Sequence, residues 1–282
     1  MYRFFQTYQL DIMLILCGVS LTMTLLLFIT RFLPKRRKWS LIFMEIAAAL
    51  LLYFDRTAYI YSGDVSAMGY FMVRLSNFMV FLMTPTIVLT FGFCLVDALN
   101  KGEEIQIVPK RLVIVGIAAL VAMMLAVVST FTDMYYYFDE YNVYHRGPLF
   151  LFSYIIPVLG PLIQYTVIFQ YRKRFSVFLY TAYTLYIFLP IVAGIVQIFA
   201  YGISIVNMGM VFVSISLYIF TYLDINEEVI RAHTIELENI EKEKKSMKRL
   251  FDQTANALVK AVEKKDEYLK EILQKRLRLP EI

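Results

Sequence analysis

The sequence predicts an all-α membrane protein with seven transmembrane helices and a charged, coiled-coil-like helical tail. Three observations predict this fold class. Of the 282 residues 59% are hydrophobic and only 18% are charged, which is unusual for a soluble domain. The apolar residues are concentrated in seven windows of about 20 residues, the length that a helix needs to cross a hydrocarbon layer about 30 Å thick. The charged residues are concentrated in the C-terminal 59 residues, 224–282.

The seven windows follow one another from the amino terminus with short connections between most of them. The first window is too long for a signal peptide, lacks a basic region before it and has no small-residue cleavage pattern after it, so we expect it to be retained. The predicted spans are residues 10–32, 39–61, 69–96, 112–131, 149–171, 176–201 and 203–222. They form a predicted sensor domain, residues 1–223, followed by a cytoplasmic connector, residues 224–282.

Lysine and arginine in short connections predict the orientation, because such loops stay on the cytoplasmic side. The first, third and fifth connections hold eleven of these residues, whereas the N-terminus and the even connections hold only Arg3 and Arg146. We therefore expect an outside amino terminus, a cytoplasmic carboxyl terminus and a place in the cell membrane. The eleven residues are Arg31, Lys35, Arg36, Arg37, Lys38, Lys101, Lys110, Arg111, Arg172, Lys173 and Arg174.

The distribution of charged residues along the chain explains the formal net charge of +5. Residues 224–282 carry thirteen basic and thirteen acidic side chains, so the excess lies in the membrane part. We interpret it as topology and expect no nucleic-acid partner.

The tail has a helical pattern with apolar residues spaced seven apart. In the first row, which contains Leu237, Phe251 and Leu258, Lys244 interrupts the apolar residues. The second row begins three residues further along and contains His233 and Thr254 as its polar members. Two such rows form a seam for a partner helix, and we expect a parallel homodimer of marginal affinity. The alternative is a solvated helix that contacts nothing. The predicted seam residues are Ile230, Leu237, Ile240, Met247, Phe251 and Leu258.

Two groups of sequence stretches resemble bacterial signalling proteins. The tail stretch LFDQTANALVKAVEKKDEY resembles the connector before HD-type phosphodiesterase domains. GYFMVRLSNFMVFLMTP, YYYFDEYNVYHRGPLF and IVQIFAYGISIVNMGM are similar to pieces of seven-helix sensor regions. Clostridial-type bacteria place those regions before diguanylate cyclase (GGDEF), HD phosphodiesterase or histidine kinase outputs. The resemblance covers most of residues 35–268 and implies a sensor that signals through its connector helix.

The chain departs from that pattern after Tyr268. It continues as LKEILQKRLRLPEI, with no histidine and no His-Asp pair, and it has no GGDEF-like loop or kinase core. The resemblance therefore implies an output that is absent from this chain. Either the chain is truncated or redesigned before that output, or it acts through a cytoplasmic partner.

Catalysis and cofactor binding are not expected. Cys17 and Cys94 lie in apolar runs, and His145 and His233 lie far apart, so neither a disulfide framework nor a Cys/His metal cluster is predicted. The membrane part also lacks the His-Glu pair of a zinc protease, the membrane histidine of a serine-type protease and the late-helix lysine of a retinal pigment. We expect no enzyme, no metal and no cofactor.

The longest outward connection, residues 132–147, is the predicted ligand site. It reads TDMYYYFDEYNVYHRG, and aromatic faces with a few charges suit a small organic or cationic ligand. The alternation in YNVYH also permits a short hairpin lid. The alternative is an interfacial aromatic belt. The predicted ligand-binding residues are Asp55, Arg56, Arg74, Asn77, Tyr135, Tyr136, Tyr137, Asp139, Glu140, Tyr141, His145 and Arg146.

Charges inside the second and third windows predict an ion pair. Counting at about 1.5 Å per residue places Asp55 and Arg74 at similar depth in antiparallel neighbours. Because a lone charge at that depth costs a few kcal/mol or more, we expect these two to pair, with a hydrogen bond from Asn77. Such a pair either fixes helix packing or releases one partner to a charged ligand group.

A membrane sensory receptor is the predicted function, and a small-solute transporter or channel is the alternative. Prolines and amides inside the windows could line a pathway, although prolines also kink helices and amides also join neighbouring helices. Seven helices divide poorly into two inverted repeats, and we find no internal symmetry. These residues are Pro85, Pro157, Pro161, Pro190, Gln164, Gln197 and Asn207.

Overall fold

The computed structural model of the chain describes residues 2–31, 33–100, 108–199 and 203–277. Lys101 and the ends of the first and sixth predicted spans lie outside the described residues. Seven α-helices are present within them: α1 (Tyr2–Ile29), α2 (Lys35–Ile60), α3 (Ala67–Leu99), α4 (Lys110–Thr132), α5 (Ile155–Gln170), α6 (Val177–Phe199) and α7 (Ile205–Leu277). Short 3-10 helices at Phe150–Tyr154 and Arg172–Arg174 precede and follow α5.

Six of the seven helices are long and apolar enough to cross a membrane. The exception is α2, where the predicted span 39–61 is interrupted by Glu45, Asp55 and Arg56. Length and composition alone therefore support six of the seven predicted spans. The apolar stretches in the six helices are Thr7–Ile29, Ala67–Leu99, Lys110–Thr132, Phe150–Gln170, Val177–Gln197 and Ile205–Leu273.

Helix α2 packs between α1 and α3, and α4 lies against α3 and α5. Three consecutive small residues, Ala47, Ala48 and Ala49, are buried on α2, and small side chains let neighbouring helix backbones approach closely. The Cys17 thiol of α1 contacts the Ala49 carbonyl oxygen at 3.5 Å. The helix whose composition alone does not support a span thus lies between two apolar neighbours.

A short antiparallel hairpin follows α4, as the alternation in YNVYH permits. Its strands are β1 (Tyr136–Phe138) and β2 (Tyr144–Arg146), with Tyr137 opposite His145. Asn142, in the turn, has a φ of 58°, a left-handed conformation that asparagine tolerates better than most residues. Beyond the strands, the Gly147 N–H donates to the Tyr135 carbonyl oxygen at 2.8 Å.

The chain forms two compact units, Met1–Ile225 and Asn226–Ile282. The predicted boundary lies between residues 223 and 224. The second unit is helical as far as Leu277. In the single chain its large apolar side chains up to Leu273 are exposed, with Phe251 at 73% of its full accessibility.

The close contact at Gly147 generates a stability prediction. A Cβ atom there would lie 2.4 Å from the Asp133 carbonyl oxygen and 2.6 Å from that of Met134. We expect Gly147→Ala to lower the free energy of unfolding by about 1–3 kcal/mol, because backbone atoms must shift. Gly18→Ala is the control, since no heavy atom lies within 4 Å of its added Cβ. Thermal unfolding in detergent micelles measures both, and equal stability of the two variants would contradict the prediction.

Candidate functional site

Two polar clusters join the elements of the membrane part. We call the first the inner cluster: it consists of Glu45 and Asp55 of α2 with the side chains that hydrogen-bond to them. The second, the outer cluster, consists of Arg74 and Asn142 with their partners at the hairpin. The sequence predicted neither grouping.

Glu45 joins three helices through its carboxylate. Its side chain is fully buried, at 0% exposure. The Ser20 hydroxyl of α1 donates to Oε2 at 2.6 Å, and the Ser214 hydroxyl of α7 donates to Oε1 at 2.7 Å. Because a buried carboxylate without donors is costly, these hydroxyls fix the positions of α1 and α7 against α2.

Asp55 repeats this arrangement ten residues later, about 15 Å along α2. Its Oδ2 atom accepts hydrogen bonds from the Ser204 hydroxyl and, at 2.8 Å, from the Asn207 side-chain amide. Gln197 of α6 accepts a hydrogen bond from the Val206 N–H at 2.9 Å, which holds the first turn of α7. Helix α2 is therefore attached to α7 at two levels.

The predicted ion pair between Asp55 and Arg74 is wrong. Arg74 instead donates to the Asn142 side-chain oxygen at 2.6 Å, and Asn77 donates to the Val73 carbonyl oxygen of its own helix at 2.8 Å. Asp55 in α2 and Arg74 in α3 were expected to pair because of their similar depth, but other elements supply their partners. The first turn of α7 satisfies Asp55 and the hairpin satisfies Arg74, so neither charge needs the other.

Arg56 also lies outside the outer cluster. Its Nε atom donates to the Leu10 carbonyl oxygen of α1 at 2.9 Å. Near the other end of α2, Arg37 pairs with Asp97 of α3 at 3.0 Å. Each of these arginines therefore joins α2 to a neighbouring helix.

Asn142 is the centre of the outer cluster and is 3% exposed. Its side-chain amide donates to the Asp64 carbonyl oxygen at 2.7 Å, and its own carbonyl oxygen accepts from the Gly63 N–H at 3.3 Å. Its side-chain oxygen accepts from Arg74. The turn of the hairpin is thus held to the connection between α2 and α3.

The Arg74 guanidinium lies close to the faces of two aromatic rings. It is 3.3 Å from the ring centroid of Tyr70 and 4.7 Å from that of Phe138 in β1. A cation over an aromatic face is attracted by the negative charge of that face. Arg74 is therefore positioned by stacking as well as by its bond to Asn142.

The polar residues of the hairpin bond mainly to one another. Asp139 Oδ2 lies 2.8 Å from His145 Nε2, and its Oδ1 accepts from the N–H groups of Tyr141 and Val143. The hydrogen bond with His145 holds the pKa of the Asp139 carboxyl below its usual value. The ring of Tyr137 stacks on His145 with centroids 5.4 Å apart. These contacts shape the turn.

Two of the predicted ligand-binding tyrosines are packed inside the protein. Tyr135 and Tyr136 are each 4% exposed and stack on Phe81 of α3, with centroids 5.9 Å and 4.9 Å apart. Burial raises the pKa of Tyr136 to about 12. Arg146 lies over the Phe150 ring at 4.6 Å.

Glu140 and Tyr141 are exposed. The predicted ligand residues of the outward connection therefore have different surroundings: Tyr135 and Tyr136 are packed, Asp139 and His145 bond within the hairpin, and Glu140 and Tyr141 are exposed.

Glu45 is the main functional candidate that the sequence reasoning missed. A signal was available, because Glu45 is an acidic residue inside a predicted span, and such residues are costly and commonly functional. Asn142 gave a weaker signal, as one polar residue among many in an outward loop. In the part of the chain that the structure describes, no group of three His, Cys, Asp or Glu side chains could hold a metal ion.

Comparisons of the chain with protein-family models, with curated proteins and with solved structures found no match.

The buried carboxylate of Glu45 generates a second prediction. Glu45→Ala removes the carboxylate that accepts hydrogen bonds from the Ser20 and Ser214 hydroxyls, although Ser20 keeps the Glu45 backbone oxygen as an acceptor at 2.9 Å. We expect the change to lower the free energy of unfolding by about 2–4 kcal/mol. Glu45→Gln keeps the size and one acceptor oxygen, so its effect should be smaller. Glu140→Ala, at the exposed hairpin tip, is the control. Thermal unfolding in detergent measures the stability of each variant. Equal stability of Glu45→Ala and Glu140→Ala would show that the hydrogen bonds to Glu45 contribute nothing.

Proposed function

We propose that the chain is a membrane sensory receptor that transmits a conformational change through α7 to an output module or cytoplasmic partner. The observation that carries the proposal is the double attachment of α2 to α7. Glu45 bonds to Ser214 and Asp55 bonds to Asn207, and both partners belong to the helix whose C-terminal part forms the tail. A change in how α2 and α7 pack would therefore act on the signalling helix directly.

The proposal includes α2 as a seventh span. On composition alone, its charged residues prevent α2 from qualifying as a span. Hydrogen bonds and burial among other helices, however, lower the cost of placing charges in a membrane. Glu45 has two hydroxyl donors, Asp55 has two side-chain donors, and Arg56 has a backbone acceptor. With seven spans, the distribution of basic residues gives an outside amino terminus and a cytoplasmic tail in the cell membrane.

The outer cluster is the proposed place of ligand action. The hairpin turn is held by Asn142, whose side-chain oxygen accepts a hydrogen bond from the Arg74 guanidinium. A small molecule with an acceptor group could replace the Asn142 oxygen at Arg74 and release the turn. The exposed side chains of Glu140 and Tyr141 lie on the same hairpin. A ligand shifts such an equilibrium only through different affinities for the two states.

The orientation can be tested with reporters. We expect a fusion after Asp224 to be active only with a reporter that works in the cytoplasm, because the odd connections hold the basic residues. A single cysteine at Tyr137, which is exposed, should react with an impermeant maleimide added to intact cells. Labelling of that position only after the cells are opened would show the opposite orientation and contradict the proposed ligand site.

Coupling between α2 and the tail can be tested by crosslinking. With Ile240→Cys as a reporter of tail pairing, we expect Ser214→Ala to change the rate of disulfide formation by roughly three-fold or more, because it removes one α2–α7 bond. The control is Ser216→Ala, two residues along the same helix, whose hydroxyl donates to Phe212 within α7. Equal rates in the two variants, both still folded by thermal unfolding, would contradict transmission through this contact.

Transport is a second candidate, and the inner cluster is the observation that favours it. Buried carboxylates such as Glu45 and Asp55 occur in proton relays of pumps and transporters. Proteoliposomes containing the purified chain and a pH-sensitive dye distinguish the two functions. A proton flux abolished by Glu45→Gln would support transport, and tail responses without flux would support the receptor.

A further inference from the structure

The first turn of α2 carries four consecutive basic residues, and two of them have partners inside the protein. The Arg37 guanidinium pairs with Asp97 of α3 at 3.0 Å. The Lys38 amino group donates to two carbonyl oxygens at the end of α1, at 2.8 Å and 2.9 Å. Lys35 and Arg36 are exposed instead, and within the described residues their charged groups have no hydrogen-bond or ionic partner.

The two exposed cations do not stabilise the helix that carries them. Positive charge in the first turn of a helix opposes its dipole, and adjacent like charges repel each other. Arg31, in the connection between α1 and α2, is a third exposed basic residue. The positive-inside rule accounts for basic residues in this connection, but it does not select their neighbours on the helix surface. An anion from outside the protein would relieve the repulsion.

An exposed aromatic row continues from these cations along the same face of α2. Residues three or four positions apart are neighbours on a helix, so Arg36, Trp39 and Phe43 lie in one line over two turns. The Trp39 and Phe43 side chains are 47% and 56% exposed, and their ring centroids are 5.8 Å apart. Phe28 of α1 lies edge-on against Trp39, also at 5.8 Å. The face thus presents a charge, then an indole, then an apolar ring.

This order of groups matches an anionic phospholipid. A guanidinium binds phosphate oxygens through paired N–H groups, and a lysine adds a compact positive charge. Tryptophan favours the level between the headgroups and the hydrocarbon. The exposed ring of Phe43, one turn further along, offers an apolar surface to an acyl chain. A soluble phosphate ion would use the two cations and leave the aromatic row uncovered.

We propose that the exposed face of residues 35–43 binds an anionic phospholipid, with the phosphate at Lys35 and Arg36 and an acyl chain against Trp39 and Phe43. Arg31 adds attraction for the negative headgroup. The site lies on the helix that carries Glu45 and Asp55, but it does not depend on the receptor function or on the orientation of the chain.

Another basic connection of the chain lacks this arrangement. In the 3-10 helix after α5, Arg172 lies over the Phe169 ring at 4.8 Å and Arg174 lies over the Tyr171 ring at 5.8 Å. These guanidinium groups already have aromatic partners within the protein. The connection is therefore a matched control, because it carries charge of the same sign in a different contact.

Trp39 is the only tryptophan in the chain, so its fluorescence reports lipid at the site directly. The purified full chain is placed in vesicles of phosphatidylcholine and phosphatidylglycerol in equal amounts. Bromine atoms on the acyl chains quench indole fluorescence on contact, and they are carried by one lipid or by the other. We expect brominated phosphatidylglycerol to quench roughly three-fold more strongly, because the cations select the anionic lipid. Equal quenching by the two lipids would overturn the proposal.

Two double variants assign the preference to residues. Lys35→Gln with Arg36→Gln should make quenching by the two lipids equal, because it removes the charges that hold the phosphate. Arg172→Gln with Lys173→Gln removes the same charge elsewhere and should keep the preference. A preference that survives in the first variant, or is lost in the second, would contradict a site at α2. Thermal unfolding in detergent checks that both variants are folded.

Inorganic phosphate distinguishes the lipid from a free anion. At equal ionic strength, phosphate and chloride should weaken the preference for phosphatidylglycerol equally, because both act by screening charge. A greater loss with phosphate would show that Lys35 and Arg36 bind the free ion, and it would overturn the assignment to a lipid.

Discussion

The buried carboxylate of Glu45 is the constraint on which the packing of the membrane part depends. A carboxylate without donors in an apolar interior is costly, and here its donors, Ser20 and Ser214, come from two different helices. Moving either helix by a few ångströms, or rotating it by one residue, would remove one of the two donors and leave one carboxylate oxygen without its hydrogen bond. Asp55 imposes the same requirement on the first turn of α7. Two acidic residues on one helix therefore fix the rotation of α7 more strictly than apolar contacts, which tolerate small shifts.

The fold was largely predictable because apolar length is a local property of the sequence. The windows, their order and the hairpin in YNVYH all follow from neighbouring residues. The partners of the buried charges did not follow, because they depend on which helices meet. Asp55 and Asn207 are 152 residues apart, and Arg74 and Asn142 are 68 apart. Comparing depths in two adjacent helices cannot reveal a third element that satisfies both charges.

The aromatic residues of the outward connection illustrate the same limit. Five tyrosines in one loop predicted a binding surface, but a tyrosine ring stabilises a hairpin equally well by packing. Tyr136 stacks on Phe81, and Tyr137 stacks on His145. Composition cannot distinguish a ring that contacts a ligand from one that contacts its own protein, since both uses bury the same apolar face. The distinction comes from exposure: Tyr136 is 4% exposed, whereas Tyr141 is 73% exposed.

A receptor of the proposed kind needs two packings of similar free energy, and the polar contacts of α7 set what the second packing must supply. Apolar helix packing in a membrane is only weakly selective, because lipid tails are as apolar as leucine. Hydrogen bonds such as that of Ser214 with Glu45 are directional, so an alternative position of α7 is stable only if another donor replaces the one that is lost. Serine hydroxyls rotate freely and can donate or accept. A second position of α7 in the proposed receptor would therefore need other hydroxyl or amide donors for Glu45 and Asp55. The two carboxylates would thus restrict the proposed receptor to a few discrete positions of α7.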